Sequence, residues 1–236
     1  SNAGMVESAQ IRFDNSGTLT LLMGTHDHGQ GHGTTFKQML SEMLGLDTDM
    51  MQFVYGDTDK IQIGTGTFGS RSAACGGTAV KMAADKIIEK GSRIAAHMLE
   101  AADADISFEG GNFTVTGTDK SVTLSDVAKT AFKPALLPSE IEPGLYETGT
   151  YNGGTPTFPN GCHIAEVEID PVTGETDIVG YWVFDDVGTM INPLLVKGQI
   201  HGGIAQGAGQ ALMEDMVSDP ESGQLITGSF MDYCMP

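Results

Sequence analysis

The chain has 236 residues, a length that allows one or two domains with a buried core. Acidic residues outnumber basic ones 31 to 12, for a formal net charge of −19, which argues against nucleic acid as a partner. No apolar run approaches the roughly 18–20 residues of a membrane span, and no secretory signal is visible, so we expect no membrane partner.

The cysteines and glycines add two further limits. Cys75, Cys162 and Cys234 lie far apart, which argues against a disulfide framework or a cysteine-based zinc site and predicts a cytoplasmic protein. The 32 glycines are about twice the ~7% background and occur in clusters, which indicates loops whose backbone lies close to something else.

The first half of the chain alternates strands, glycine-rich loops and helices. In chain order, the predicted elements begin with a hairpin over 11–23 with a DNSG turn, a first glycine-rich loop over 24–33, a helix capped by Thr34 and ended by Gly45, and a strand in MQFVYGD. They continue with a second glycine-rich loop in DKIQIGTGTFGS, a long helix-compatible stretch over 72–101, a hairpin over 106–116 and a short helix in LSDVAKTA.

The second half begins after residues 133–162, which are rich in Pro, Gly and Thr and predict a long ordered loop or crossover. HIAEVEIDPVTGETDIVGYWVFDDVG predicts a hairpin, NPLLVKGQIHGGIAQGAGQALMEDM a helix and ITGSFMDYCMP a strand-like tail. The prediction is therefore an α+β chain of two related lobes with mixed sheets and packed helices. The predicted ranges are a first lobe over 4–132, a crossover over 133–162 and a second lobe over 163–236.

The first loop, GTHDHGQGHG, lies between a predicted strand and a predicted helix. Glycine amides and a helix N-terminus suit a phosphate or diphosphate, and Gln30 adds an amide that can contact a ligand. Two alternatives stay open: a tight packed turn, and a metal-binding module in which His26, His28 and His32 converge on zinc.

The second loop, GTGTFGSRS, contains the pattern G-x-G-x-x-G. A Rossmann interpretation fails because the preceding strand ends eight residues before Gly64 and the following stretch stays helical where an acid should end a second strand. Ser70, Arg71 and Ser72 at a helix start favour an anion site instead. The alternative is ordinary serine capping beside a surface arginine.

The third feature is the predicted helix NPLLVKGQIHGGIAQGAGQAL, whose many glycines cost helix stability. Its small residues would admit another element, or a flat ligand, at close range. Gln206, between Ala205 and Gly207, is the predicted ligand contact. Close packing of another element is the alternative interpretation.

Taken in order, these segments resemble a known family. They are GTHDHGQGHGTTF, GDTDKIQIGTGTFGSRSAACGG, HIAEVEIDPVTG, DDVGTMINPLLVKGQIHGGIAQGAGQALMED and TGSFMDY. The chain from about Gly17 to Pro236 is similar to the molybdenum-binding large subunit of the xanthine dehydrogenase, aldehyde oxidase and carbon monoxide dehydrogenase family.

This resemblance implies the fold of a molybdenum cofactor-binding domain and a molybdopterin cofactor in its cytosine dinucleotide form. It implies that cofactor-binding residues lie in three places: His28, Gly29, Gln30 and Gly31; Thr67, Gly69, Ser70, Arg71 and Ser72; and Gln206. Iron–sulfur clusters and FAD are expected only on partner domains or subunits.

The sequence also departs from the family pattern. The catalytic glutamate of the family lies in a G-x-G-E segment that is absent here, and Glu214 stands in a different context, so we assign no catalytic residue. The expected partners are the rest of a large subunit, an iron–sulfur subunit, a flavoprotein subunit and a small-molecule substrate. The expectation is an inactive section of an oxidoreductase; a non-catalytic fragment that packs on another subunit is the further alternative.

Overall fold

The computed structural model describes residues 6–153 and 157–236, in two compact units, Ser1–Thr157 and Phe158–Pro236. Residues 4–5 of the predicted first lobe and 154–156 of the predicted crossover lie outside the described residues. The boundaries predicted from the sequence stay predictions.

The first unit is built from seven strands and three α-helices within the described range. They are β1 (Val6–Phe13), β2 (Leu19–Met23), α1 (His32–Leu44), β3 (Met51–Tyr55), α2 (Gly77–Leu99), β4 (Ile106–Glu109), β5 (Asn112–Val115), β6 (Ser121–Thr123), α3 (Leu124–Ala131) and β7 (Tyr146–Asn152). A π-helical turn, Ser72–Gly76, leads directly into α2.

A four-stranded mixed sheet in the order β3-β2-β1-β7 forms the centre of this unit. β1 pairs antiparallel with β2 and β7, whereas β2 and β3 are parallel. Alternate residues of β1, among them Ala9, Ile11 and Phe13, are buried, as expected for a strand with one face on the core. α2 packs on this sheet and supplies buried residues such as Val80, Ile87 and Ile94.

A smaller sheet, β4-β5-β6, lies at the far end of α2. Phe113 of β5 is fully buried, and its ring lies so close to Gly91 that a Cβ there would be 2.6 Å from it. α3 begins at a Thr123 cap whose hydroxyl accepts the Asp126 N–H.

Most elements predicted for this unit are confirmed, with two corrections. α1 starts at His32 after Gly31, and Thr34 is not its cap. β7 lies inside the range predicted as a loop or crossover, so that prediction of secondary structure is wrong there. Its alternation is hidden because the buried position is Gly149, where a Cβ would lie 2.2 Å from the Ala79 carbonyl oxygen of α2.

The second unit contains a long antiparallel hairpin, β8 (Asn160–Ile169) and β9 (Thr176–Asp186), and the helix α4 (Pro193–Leu212). Both predictions are confirmed. Asn192 caps α4 by accepting the Leu195 N–H. The predicted strand-like tail is wrong: Ser229 and Tyr233 form a turn, and residues 226–236 join no strand among the described residues.

The structure thus confirms an α+β fold with small sheets and packed helices. None of the helices in the described ranges is long and apolar enough to cross a bilayer.

Candidate functional site

The two glycine loops of the first unit touch at the end of β2. A Cβ on Gly24 would lie 2.2 Å from the Cα of Gly64, and one on Gly64 would lie 2.3 Å from the Cα of Gly24. Only glycine allows two backbones to pass at this distance. The loops are therefore in direct contact at Gly24 and Gly64, which are 40 residues apart in the sequence.

Side chains join the same two loops. The Thr67 hydroxyl accepts the His26 N–H at 2.9 Å and lies 3.0 Å from the Ser72 hydroxyl. The first loop is further closed on itself, since the His28 N–H donates to the Gln30 side-chain oxygen. Of the predicted site residues, all except Gln206 belong to this pair of loops.

The second loop presents backbone donors along one stretch. Gly66, Gly69 and Ser70 have φ values of 85°, 55° and 55°, and Ser70 is one of two non-glycine residues with positive φ in the described part of the chain. A Cβ on Gly66 or Gly69 would meet nothing within 4 Å. Within the described residues, the N–H groups of 66–70 have no acceptor. The loop can therefore offer several amides to one anion.

Arg71 is not the surface arginine that the sequence allows. Its side chain is 1% exposed and forms an ion pair with Glu7, which is fully buried, at 2.7 Å. The guanidinium also donates to the Gly66 carbonyl at 2.5 Å and to the Val6 carbonyl at 2.6 Å. The guanidinium thus links the second loop, at Gly66, to the start of β1, at Val6 and Glu7.

The Asp27 carboxylate accepts hydrogen bonds from the backbone N–H groups of the first loop, which we had expected to bind an anion. Its carboxylate accepts the N–H groups of Gly29 at 2.8 Å, Gly31 at 3.3 Å and His32 at 3.0 Å. Burial works to raise the pKa of Asp27, but these amides and nearby His32 outweigh it, so the pKa is lowered. The carboxylate explains why α1 starts at His32 and needs no Thr34 cap.

The three histidines of the first loop are His26, His28 and His32. The rings of His26 and His28 are 4.5 Å apart, and His26 meets Tyr55 edge-on. Among residues 6–153 and 157–236, no group of three or more His, Cys, Asp or Glu side chains could hold a metal ion. The zinc alternative thus gains no support from the geometry.

His32 is buried, and its Nδ1 has no hydrogen-bond partner among the described residues. Burial lowers its pKa most strongly; Asp27 opposes this, and His28 and His26 add to it, so the net shift is downward from 6.5. Below pH 6.5 the unfolded chain therefore binds a proton that the folded chain resists. We therefore expect the contribution of His32 to the free energy of unfolding to be fully present above pH 6.5 and to decrease as the pH falls below 6.5.

Melting temperatures of the wild type and His32→Gln at pH 7.5 and 5.5 test this expectation. The variant should lose less stability on acidification. His97→Gln, which changes an exposed histidine at the end of α2, should behave as the wild type does. Equal losses in the wild type and His32→Gln would contradict the burial effect.

Gln206 lies on α4 in the second unit and is exposed. A groove of about 420 Å³ lies between α4 and the β8–β9 hairpin. The residues of α4 that line it include Ile200, Gly203, Ile204 and Gly207. Gln206 is not among the residues that line it. A Cβ on Gly198, Gly202, Gly203 or Gly207 would meet nothing within 4 Å, so contacts among the described residues do not explain these glycines.

Sequence reasoning missed two residues, Glu7 and Asp27. Glu7 left a signal, because it shares the buried alternate positions of β1 with Ala9 and Ile11, and an acid on a core-facing strand position needs a buried partner. Asp27 left only its place in a glycine loop just before a helix.

Comparison with known proteins supports one family. The family model described as "Molybdopterin cofactor-binding domain" matches residues 1–236. The chain is 40% identical over 234 residues to the carbon monoxide dehydrogenase large chain of Hydrogenophaga pseudoflava, covering 99% of this chain and 29% of that protein. It is 38% identical to the nicotine 6-hydroxylase large subunit of Paenarthrobacter nicotinovorans, covering 98% and 28%.

A solved structure shows the same fold. The Cu,Mo-CO dehydrogenase structure superposes with a TM-score of 0.88 at 36% identity, covering 98% of this chain and 29% of that one. The chain thus spans less than a third of the length of these relatives. Since the family model matches every residue of the chain, the chain belongs to the molybdopterin cofactor-binding domain family.

Proposed function

We propose that this chain is the part of a molybdenum hydroxylase that binds molybdopterin in its cytosine dinucleotide form. The observation that carries the proposal is the second loop, whose unpaired amides at 66–70 stand beside open space at Gly66 and Gly69. A diphosphate needs several converging donors, and backbone amides can supply them in a chain of net charge −19.

The residues present fit this cofactor. Ser70, Thr67 and Ser72 add hydroxyls beside the amides, and the π-helical turn after Arg71 leads into the positive end of α2. At the first loop, Asp27 already fills the amides, so His28 and Gln30 would contact the ligand with their side chains and Gly29 and Gly31 would leave room for it. Gln206, on α4, is proposed as a further cofactor contact. When bound, the cofactor supplies the redox chemistry, and the protein binds and orients it.

The parent enzyme would oxidise an aldehyde, a purine or another N-heterocycle with water as the oxygen source. The similarity to a nicotine 6-hydroxylase subunit supports the N-heterocycle class. No catalytic residue is assigned to this chain, and we expect the chain alone to be inactive. A cytoplasmic location is proposed from the three free, scattered cysteines.

Partners are proposed from the surface of the second unit. Apolar side chains are exposed on the hairpin and beyond, including Trp182 (47%), Phe184 (68%) and Phe230 (84%). A monomer rarely exposes so much apolar surface in one small unit, which supports coverage by the rest of a large subunit. The iron–sulfur and flavoprotein subunits, with their clusters and FAD, complete the proposed complex.

Binding of cytidine diphosphate to the chain, followed by calorimetry, tests the proposed site. Ser70→Ala should weaken binding by about two- to tenfold, the value of one hydrogen bond. Ser70→Glu should weaken it further, because a carboxylate there would repel the phosphates.

Ser121→Glu is the matched control, since Ser121 is an exposed serine in β6 of the other sheet. It changes the net charge equally and should leave affinity within about twofold. If Ser121→Glu weakened binding as much as Ser70→Glu, the site would lie elsewhere. Equal affinity for cytidine, guanosine and adenosine diphosphates would contradict the cytosine form.

A further inference from the structure

Glu7 is a buried acid that contacts the second loop and is not one of the proposed binding residues. Glu7 is fully buried in β1, and its Oε2 is 2.7 Å from Arg71 Nη1. Its other oxygen, Oε1, accepts the Ser8 N–H at 3.0 Å. Glu7 is thus held in place by its own strand and ends on the guanidinium of the loop.

The first residues of β1 hold the second loop by several independent hydrogen bonds. The Ser8 hydroxyl donates to the Ile63 carbonyl at 2.7 Å, and the Thr65 hydroxyl donates to the Val6 carbonyl at 2.9 Å. Arg71 adds its bonds to the Val6 and Gly66 carbonyls. Arg71 therefore joins the end of the loop to Gly66 within it. The Glu7 carboxylate neutralises the guanidinium, which allows this charged group to be buried there.

A buried ion pair is a costly way to stabilise a fold. Desolvation of both ions consumes much of their attraction, and apolar residues of similar volume often stabilise as well. The pair contributes geometry, since a planar guanidinium can donate to several acceptors at fixed angles. The acceptors of Arg71 include one carboxylate and two carbonyls, and one of these carbonyls belongs to the loop with the unpaired amides.

We propose that Glu7 is a positioning residue: through the Arg71 guanidinium, it holds the second loop in the shape that receives a diphosphate. This inference rests on the proposed function for the identity of the ligand. Because Glu7 neutralises the charge of Arg71, we infer that Arg71 shapes the loop and does not pair with the phosphates of the ligand. The ligand would then bind to the amides and hydroxyls on the outer side of the loop.

Two changes separate loop geometry from fold stability. Glu7→Leu/Arg71→Met replaces the pair by apolar side chains and should keep the fold, whereas Arg71→Lys keeps the charge but loses the planar fork. Glu109→Gln, at an exposed acid of β4, is the control. The readouts are melting temperature, nitrogen-15 order parameters of the 66–70 amides, and affinity for cytidine diphosphate.

In both test variants we expect the order parameters of 66–70 to fall from about 0.85 towards 0.6 or lower, while those of β4 and β5 stay unchanged. Affinity for cytidine diphosphate should fall by about tenfold, because the ligand must then order the loop. The control should match the wild type in all three readouts.

Unchanged order parameters at 66–70 in a folded test variant would overturn the inference, and if the double variant does not fold, Arg71→Lys decides. A disordered loop with unchanged affinity would overturn the role towards the ligand. If the wild type binds no cytidine diphosphate while the variants still loosen the loop, the proposed function fails and the positioning of the loop by Glu7 stands.

Discussion

Replacing Arg71 with methionine is expected to lower the free energy of unfolding by about 3–5 kcal/mol. The change leaves the Glu7 carboxylate buried without its cation, and both side chains are at most 1% exposed, so water cannot replace the lost partner. It also removes the donors to the Gly66 and Val6 carbonyls. Urea unfolding monitored by circular dichroism measures the loss.

The double variant Glu7→Leu/Arg71→Met is the decisive comparison for this prediction. Once both charges are gone, no ion is left unpaired, and stability should return to within about 1–2 kcal/mol of the wild type. Lys81→Met, which breaks an exposed pair with Asp85 on α2, should cost less than about 1 kcal/mol. A similar small cost for Arg71→Met would mean that the buried pair is not closed in solution.

Gly24→Ala is expected to destabilise the first unit by about 1–3 kcal/mol and to displace the second loop. The new Cβ would lie 2.2 Å from the Cα of Gly64 and 2.6 Å from Glu7 Oε1, so it meets backbone and a fixed carboxylate. The loop must move away to relieve the clash. Thermal unfolding and affinity for cytidine diphosphate should therefore both decline.

Gly33→Ala is the matched control, in the first turn of α1. A Cβ there meets only Phe53, at an ordinary 3.6 Å, and alanine favours helix by up to about 1 kcal/mol. We expect this variant to be as stable as the wild type or more so. Gly24→Ala with wild-type stability and affinity would show that the two loops do not pass as closely as described.

Much of the fold could be predicted because it is written in local patterns. The hairpin of β1 and β2 follows from alternating apolar residues around DNSG, and α3 coincides with LSDVAKTA. β7 could not be predicted in this way, since its buried position is Gly149 and a glycine gives no apolar signal. Its place is set by α2, whose backbone leaves no room for a side chain.

The candidate site was also predicted only in part. The glycines, Ser70 and Gln206 were visible in the sequence, and the order of the motifs indicated the molybdopterin family that comparison confirms. The partners of the charged residues were not visible. Arg71 resembled a ligand-binding arginine and is a buried link to β1, and Asp27, which had no predicted role, accepts the amides of the first loop.

The sequence by itself determined most of the helices and strands, the glycine loops and the family, because periodicity, turn residues and ordered motifs depend on neighbours along the chain. The tertiary structure alone decided which donors remain open to a ligand. Glu7 and Arg71 are 64 residues apart in the sequence, and Gly24 and Gly64 are 40 residues apart. A charge or an amide is available only if no folded neighbour has taken it, and such neighbours are brought together by packing rather than by sequence order.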